Sequence, residues 1–262
     1  LAHYREFTRP PTPSGGPSVK TWVTWLNDEG VLHDPSPVPG QCCSFCHGAV
    51  SHDVLGSAVR TCHHCRRYGN ALESLAFATY SLDGGLESLL HRYKDWRGYE
   101  WLIAPVGSLL YRLLQGHLPC IKAITGPIDF ATFVPSNNQK REFEPMRSAA
   151  ARLLSWPIAW RHGVVGRNWA VDRPGRGELK PSAYWATGSA VAGRTVLLVD
   201  DVWTSGSSMA SCAEALKTEG ASAVVGATLG RHLNSDRHWG TSADLMAEVR
   251  KRGWSDTCSL CT

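Results

Sequence analysis

The run from Thr195 to Leu229 constrains the fold more than any other part of this 262-residue chain. Thr195-Val196-Leu197-Leu198-Val199 is an unbroken apolar strand, the pattern of a strand covered on both faces in a parallel sheet. Asp200 and Asp201 stand at its tip, followed by Val202-Trp203-Thr204-Ser205-Gly206-Ser207-Ser208. Met209, Cys212, Ala213 and Leu216 then recur at helical spacing, Gly220 stops the helix, and Val224 to Leu229 supplies another strand. Strand, polar loop, helix and strand make a βαβ unit, with its ligand crevice at the carboxyl end of the first strand. The expected class is α/β, a mostly parallel sheet with flanking helices.

The loop suggests a divided task. Backbone N–H groups and hydroxyls of Thr204, Ser205, Gly206, Ser207 and Ser208 can wrap a phosphate, aided by the partial positive charge of the helix end. Gly206 lets the backbone come close or take a positive φ. Asp200 and Asp201 cannot sensibly contact that phosphate, but they can accept hydrogen bonds from sugar hydroxyls beside it. A ribose 5-phosphate compound satisfies both halves. The Walker A string is absent, as is the Gly-x-Gly-x-x-Gly of a dinucleotide fold. A phosphatase-type loop would put its second acid where Val202 stands.

The chain has nine cysteines, an odd number that cannot pair completely. Cys43-x2-Cys46 and Cys62-x2-Cys65 match the spacing of a four-thiolate zinc site, each knuckle turning two sulfurs toward one tetrahedral ion. Cys42 blurs the first pair, and His47, His52, His63 and His64 are alternative ligands or outer partners. Cys258-x2-Cys261 reads either as a half-site completed elsewhere or as a frayed tail. Cys120 and Cys212 read as packing cysteines.

Elsewhere the signals are weaker. Residues 1–40 are rich in turn formers around a strand-like piece, Thr21 to Leu26, and read as an extended N-terminal arm. A zinc-ribbon-like module is expected over 41–70, the main α/β domain over 71–240, and a C-terminal helix and tail over 241–262. From Ala71 the pattern reads as helical, with Leu86, Leu89, Leu90 and Tyr93 on one face. A short helix is expected over Ser108–Leu114, a strand over Ile128–Val134, and a helix from Pro145 with Met146, Ala149, Ala150, Leu153 and Leu154 on its apolar face. Residues 163–190 read as irregular, either a mobile functional loop or a passive insertion.

Charge and composition narrow the partners. Net charge is only +4, too small to announce a nucleic-acid binder. Yet Ser136–Arg176 holds Lys140, Arg141 and six further arginines against Glu142, Glu144 and Asp172. That surplus suits an anionic ligand or a nucleic acid, or is a solvated arginine-rich face. No apolar run approaches the roughly 20 residues that span a bilayer. The polar N-terminus lacks the apolar core of a secretion signal. A soluble, cytoplasmic chain is expected, with no membrane partner; an oligomer is compatible with everything above.

Four apolar residues, two acids, two more apolar residues and a Thr/Gly loop, Val196 to Ser208, resemble the phosphoribosyl pyrophosphate (PRPP) motif of type I phosphoribosyltransferases. A cysteine ribbon ahead of such a domain resembles the ComF-type competence proteins and their amidophosphoribosyltransferase-like relatives. Leu90 to Gly98 looks like that subfamily's helix with a Lys before Gly. Phe133-Val134-Pro135 followed by Lys140-Arg141 looks like its second phosphate-side loop. Ser208 stands where the family usually has Thr, which keeps a hydroxyl.

The resemblance implies a type I phosphoribosyltransferase-like sheet preceded by a four-cysteine zinc module. It further implies Mg²⁺-PRPP as donor, with Asp200 and Asp201 on the ribose hydroxyls and Thr204 to Ser208 on the 5-phosphate. Lys140 and Arg141 would neutralise the pyrophosphate, and a nitrogen nucleophile of unknown identity would attack C1. A protein keeping this fold to sense PRPP, or to handle nucleic acid, is the alternative.

Overall fold

The structure, a computed structural model, describes residues 4–11, 16–95, 97–141, 143–153, 155–234 and 240–261. Its centre is a four-stranded, all-parallel sheet in the order β1-β6-β5-β2, formed by β1 (Leu75–Ser81), β2 (Phe130–Phe133), β5 (Thr195–Trp203) and β6 (Ala223–His232). A short antiparallel pair, β3 (Val165–Arg167) with β4 (Tyr184–Ala186), forms a separate sheet. The mostly parallel α/β class expected from the sequence is the observed one.

Alternation along the strands divides the core into two layers. Leu75, Phe77, Val196, Leu198 and Val224 face one side, with the Cys43–Tyr68 region, α7 (Ser207–Thr218) and α8 (Ser242–Lys251). Ala76, Ala78, Leu197, Val199, Val225 and Ala227 face the other. There they meet α1 (Val19–Asp28), α3 (Leu86–Asp95), α4 (Ile103–Thr125) and α5 (Pro145–Ala150). The cysteine region is thus continuous with the sheet's core and not a bead on a string. Its one helix is α2 (His63–Tyr68), and a single turn, α6 (Gly188–Val191), precedes β5.

Four expectations need correction. The strand-like piece Thr21–Leu26 lies within α1. Its Thr/Trp/Val run mimics strand composition, but the Ser18 side chain caps the helix by accepting from the Thr21 N–H, and Trp22, Val23, Trp25 and Leu26 are buried. Trp22 and Trp25 pack on Trp101, with centroids 6.1 and 5.3 Å apart, and Arg92 binds the carbonyls of Tyr4 and Arg5. Residues 4–7 and 19–28 are therefore docked, not an extended arm.

The segment after Ala71 is not wholly helical, because β1 occupies Leu75–Ser81 with all seven residues buried. A strand covered on both faces shows no alternation, and alanines with a few large residues read equally well as helix. The short helix expected at Ser108–Leu114 is the middle of the 23-residue α4. Pro105 sits in its first turn and Pro119 inside it, and Gly107 lets α5 approach, since a Cβ there would stand 2.5 Å from the Ala149 carbonyl oxygen. Residues 163–190 are irregular only over 168–180: β3 precedes that stretch, and a 3-10 turn (Pro181–Ala183), β4 and the start of α6 follow it. Leu154, expected on the face of α5, and Glu142 lie outside the described residues.

The tail around Cys258 is ordered against the free edge of β1. Phe77 N–H donates to Ser259 Oγ (3.0 Å), Ser259 N–H to the Phe77 carbonyl (3.1 Å), and Trp254 Nε1 to the Ala78 carbonyl (3.1 Å). Among the described residues, no helix is long and apolar enough to cross a membrane.

Candidate functional site

A cleft of about 350 Å³ opens at the carboxyl ends of the strands, lined by Asp200 to Met209, Phe133 to Asn138, Lys94, Arg141, Arg173 and Thr228. β5 carries Asp200 and Asp201 to its floor, because the apolar run before them is locked between β2 and β6. Burial pushes the Asp200 carboxyl up to about 7; the Lys94 ammonium opposes that shift and Glu144 adds to it. Burial likewise brings Lys94 down to about 8, against the pull of Asp200. Lys94, at the end of α3, ion-pairs with Asp201. Two acids and one half-buried lysine thus form a polar floor, an arrangement common where charge must be handled.

Thr204, Ser205 and Gly206 turn the chain from β5 into α7. Gly206 caps α7 at φ +83°, and a Cβ there would drive into the indole of Trp203. Only glycine meets both demands. The first-turn N–H groups of α7 have no intrahelical partners and face the cleft end of the helix.

Ser207 differs from its neighbours. Its hydroxyl is buried and takes the Gly177 N–H at 2.7 Å, lies 3.1 Å from Tyr68 Oη and 3.0 Å from Ser205 Oγ. That hydroxyl holds the protein together and has little left for a ligand. Ser208 stays at the cleft, where Asn137 Nδ2 donates to it (3.1 Å); Arg167 in turn donates to Asn137 (3.1 Å).

Of the two basic residues expected beside the loop, the structure brings in one. Arg141 lines the cleft, donates to Asp95 at 2.7 Å and keeps its Nε buried without a partner. Lys140 is exposed and borders a neighbouring hollow with Phe143 and Arg152. Adjacent residues on a turn point apart, which sequence proximity hides. Lys94 and Asn137 are site residues that the sequence reading did not select. The Lys-before-Gly pattern at Lys94 was the available signal.

The four cysteines Cys43, Cys46, Cys62 and Cys65 come together, all buried, with their sulfurs within 4.8 Å of one another. Cys43–His47 makes a tight turn (His47 N–H to Cys43 carbonyl, 2.9 Å) and Phe45 N–H donates to Cys43 Sγ (3.4 Å). Cys62 caps α2 and Cys65 lies one turn in. Cys42 is outside the set, accepting from Val38 N–H (3.3 Å), and His47 packs on Phe77 instead of joining it. Without a cation the thiols compete for protons: hydrogen bonds from its neighbours pull Cys43 down, while Cys62 and Cys65 are pushed up. Four thiolates at this separation require a divalent ion to ionise together, and the donor set fits structural zinc.

This cluster is wired to the cleft. Arg231, buried on β6, donates to the Cys46 carbonyl (2.8 Å) and to the carbonyls of Trp203 and Thr204 (3.2 Å each). Burial opposes its charge, but the nearby Cys46, Cys62 and Cys65 sulfurs outweigh that and raise its pKa. Tyr68, on α2, donates to the Ser205 carbonyl at 2.7 Å. The 163–190 segment is pinned too: Arg167 donates to the carbonyls of Asn168, Ala183 and Val171 at 2.5, 2.5 and 2.7 Å.

A half-buried acid pair, an anion-ready helix terminus and a flanking arginine suit a phosphorylated sugar. No curated protein matches the chain. Residues 170–250, the span that holds β5, the Thr204–Ser208 turn, α7 and β6, match the family model described as phosphoribosyl transferase domain.

Proposed function

We propose that this protein binds Mg²⁺-PRPP and transfers its phosphoribosyl group to a nitrogen acceptor, releasing pyrophosphate. The observation that carries the reading is the joint placement of Asp200, Asp201 and the Gly206 turn in one cleft. The first-turn N–H groups of α7, with Thr204 and Ser208, take the 5-phosphate. Asp200 and Asp201 accept hydrogen bonds from the ribose hydroxyls, so Lys94 must give way on Asp201 and is then free to face the leaving group. Arg141 neutralises developing pyrophosphate charge. The C1–O bond to pyrophosphate breaks as the C1–N bond forms, and catalysis is positioning and charge stabilisation in a water-poor cleft with no covalent enzyme intermediate. The donor set fits magnesium: hard carboxylate oxygens line the floor beside the space for the pyrophosphate. When bound, Mg²⁺ would offset that group's charge.

The cysteine cluster is read as a structural zinc site, and its position ahead of the domain supports a ComF-type relationship. A nucleic-acid role draws less support. Arg167 is spent on backbone carbonyls and Arg141 on Asp95, so the basic stretch is not one free face.

Pyrophosphate release from PRPP, measured with a panel of amines and bases, tests the assignment. Acceptor-dependent release that vanishes in Asp200→Asn/Asp201→Asn is expected. Tight PRPP binding with no release for any acceptor would move the reading to a PRPP sensor.

A further inference from the structure

We infer that the chain holds a second zinc ion, bound by His117, Cys120, Cys258 and Cys261, which fastens the C-terminal tail to α4 and over the edge of β1. Sequence alone leaves Cys258-x2-Cys261 open between half a site and a frayed tail, and reads Cys120 as a packing residue. The fold supplies the other half, because α4 presents His117-x2-Cys120 to the tail across 141 positions of sequence.

The geometry is that of a ligand set. All four ligand atoms lie within 4.8 Å of one another. Cys261 Sγ stands 3.3 Å from His117 Nδ1, 3.6 Å from Cys258 Sγ and 3.7 Å from Cys120 Sγ. A tetrahedral ion with metal–sulfur bonds of about 2.3 Å has sulfur–sulfur edges of about 3.8 Å. Cys258 N–H donates to Cys261 Sγ at 3.2 Å and Cys261 N–H returns to the Cys258 carbonyl at 3.0 Å, a tight turn that brings both sulfurs to one side.

Other occupants fit less well. A disulfide would join two of three sulfurs that are all free, and leave His117 with no role. An iron–sulfur cluster interposes several atoms between its ligands, which then stand further apart than here. Three thiolates and one imidazole, closed and tetrahedral, are a structural zinc set.

The tail between these ligands explains what the ion would do. Ser259, between Cys258 and Cys261, satisfies the outer edge of β1: its hydroxyl donates to the Leu75 carbonyl (3.0 Å) and accepts from Phe77 N–H (3.0 Å). An uncovered edge strand is a template for pairing with another chain. Arg112 of α4 also ion-pairs with Asp256 of the tail. This site sits by the amino-terminal half of β1, whereas the phosphate turn is at the carboxyl ends, so its loss is separable from loss of PRPP binding.

Metal analysis of the full chain, purified under reducing conditions without chelator, tests the inference. Two zinc ions per chain are expected, falling to one in Cys120→Ser/Cys261→Ser and to one in Cys62→Ser/Cys65→Ser. Should a double variant fail to fold, cobalt loading of the unmodified chain decides. Two equivalents with thiolate-to-cobalt absorption support the site, and His117→Cys should keep both while His117→Ala weakens one by tenfold or more. One zinc per chain with Cys120, Cys258 and Cys261 freely titratable, a disulfide among them, or iron with acid-labile sulfide would each overturn it.

Discussion

Asp200 meets two opposed demands. Burial raises its carboxyl to about 7 from the ordinary 3.8, so folding is favoured while it stays protonated. That contribution is complete below about pH 4 and is lost as pH rises to 7, because the unfolded chain then releases a proton the folded chain must hold. The proposed PRPP binding wants the opposite state, a carboxylate that accepts from ribose hydroxyls. Asp200→Asn should therefore melt higher than the parent at pH 8 while losing PRPP binding; each 1 kcal/mol gained reads as roughly 2–4 °C. A lower melting temperature at pH 8 would show that the buried acid is not strained. Gly206 sets the other residue-scale demand. Gly206→Ala puts a side chain at φ +83° and into Trp203, which should cost at least about 1–2 kcal/mol, checked by denaturant titration.

At the scale of elements, the turn after β2 separates two neighbours that sequence treats alike. Arg141→Ala should weaken PRPP binding tenfold or more, since charge-assisted hydrogen bonds contribute about 1.5–3 kcal/mol. Ribose 5-phosphate should be nearly unaffected, and Lys140→Ala should change neither ligand by more than about twofold. Calorimetric titration of both ligands reads the difference; equal weakening by the two variants would point to a general electrostatic field. β5, its acids and the loop were legible because one buried strand and one helix start carry them in contiguous residues. β1 was not, because Leu75-Ala76-Phe77-Ala78-Thr79-Tyr80-Ser81 mixes alanines and hydroxyl residues where β5 has a plain Val-Leu-Leu-Val run. Lys94 was visible as a pattern but not as a partner of Asp201, and His117 with Cys120 belonged to no motif until α4 met the tail. Contacts made across a hundred positions leave no local trace.

Across the whole molecule, the cysteine cluster and the cleft share one scaffold. Arg231 ties the Cys46 carbonyl to those of Trp203 and Thr204, and Tyr68 ties α2 to Ser205. Removing the zinc proposed at Cys43, Cys46, Cys62 and Cys65 should thus loosen the Thr204–Ser208 turn as well as the cysteine region. Cys62→Ser/Cys65→Ser is expected to weaken PRPP binding roughly tenfold, about 1.4 kcal/mol, at a temperature where circular dichroism shows the sheet still folded. Unchanged affinity would mean that the two regions are energetically independent. The central claim is that this cleft recognises PRPP, and thermal melting with and without Mg²⁺-PRPP tests it most directly. At about 100 times the dissociation constant the ligand adds about 2.7 kcal/mol, so a rise of several degrees is predicted, absent in Asp200→Asn/Asp201→Asn. An unchanged melting curve at millimolar PRPP and magnesium would contradict the account.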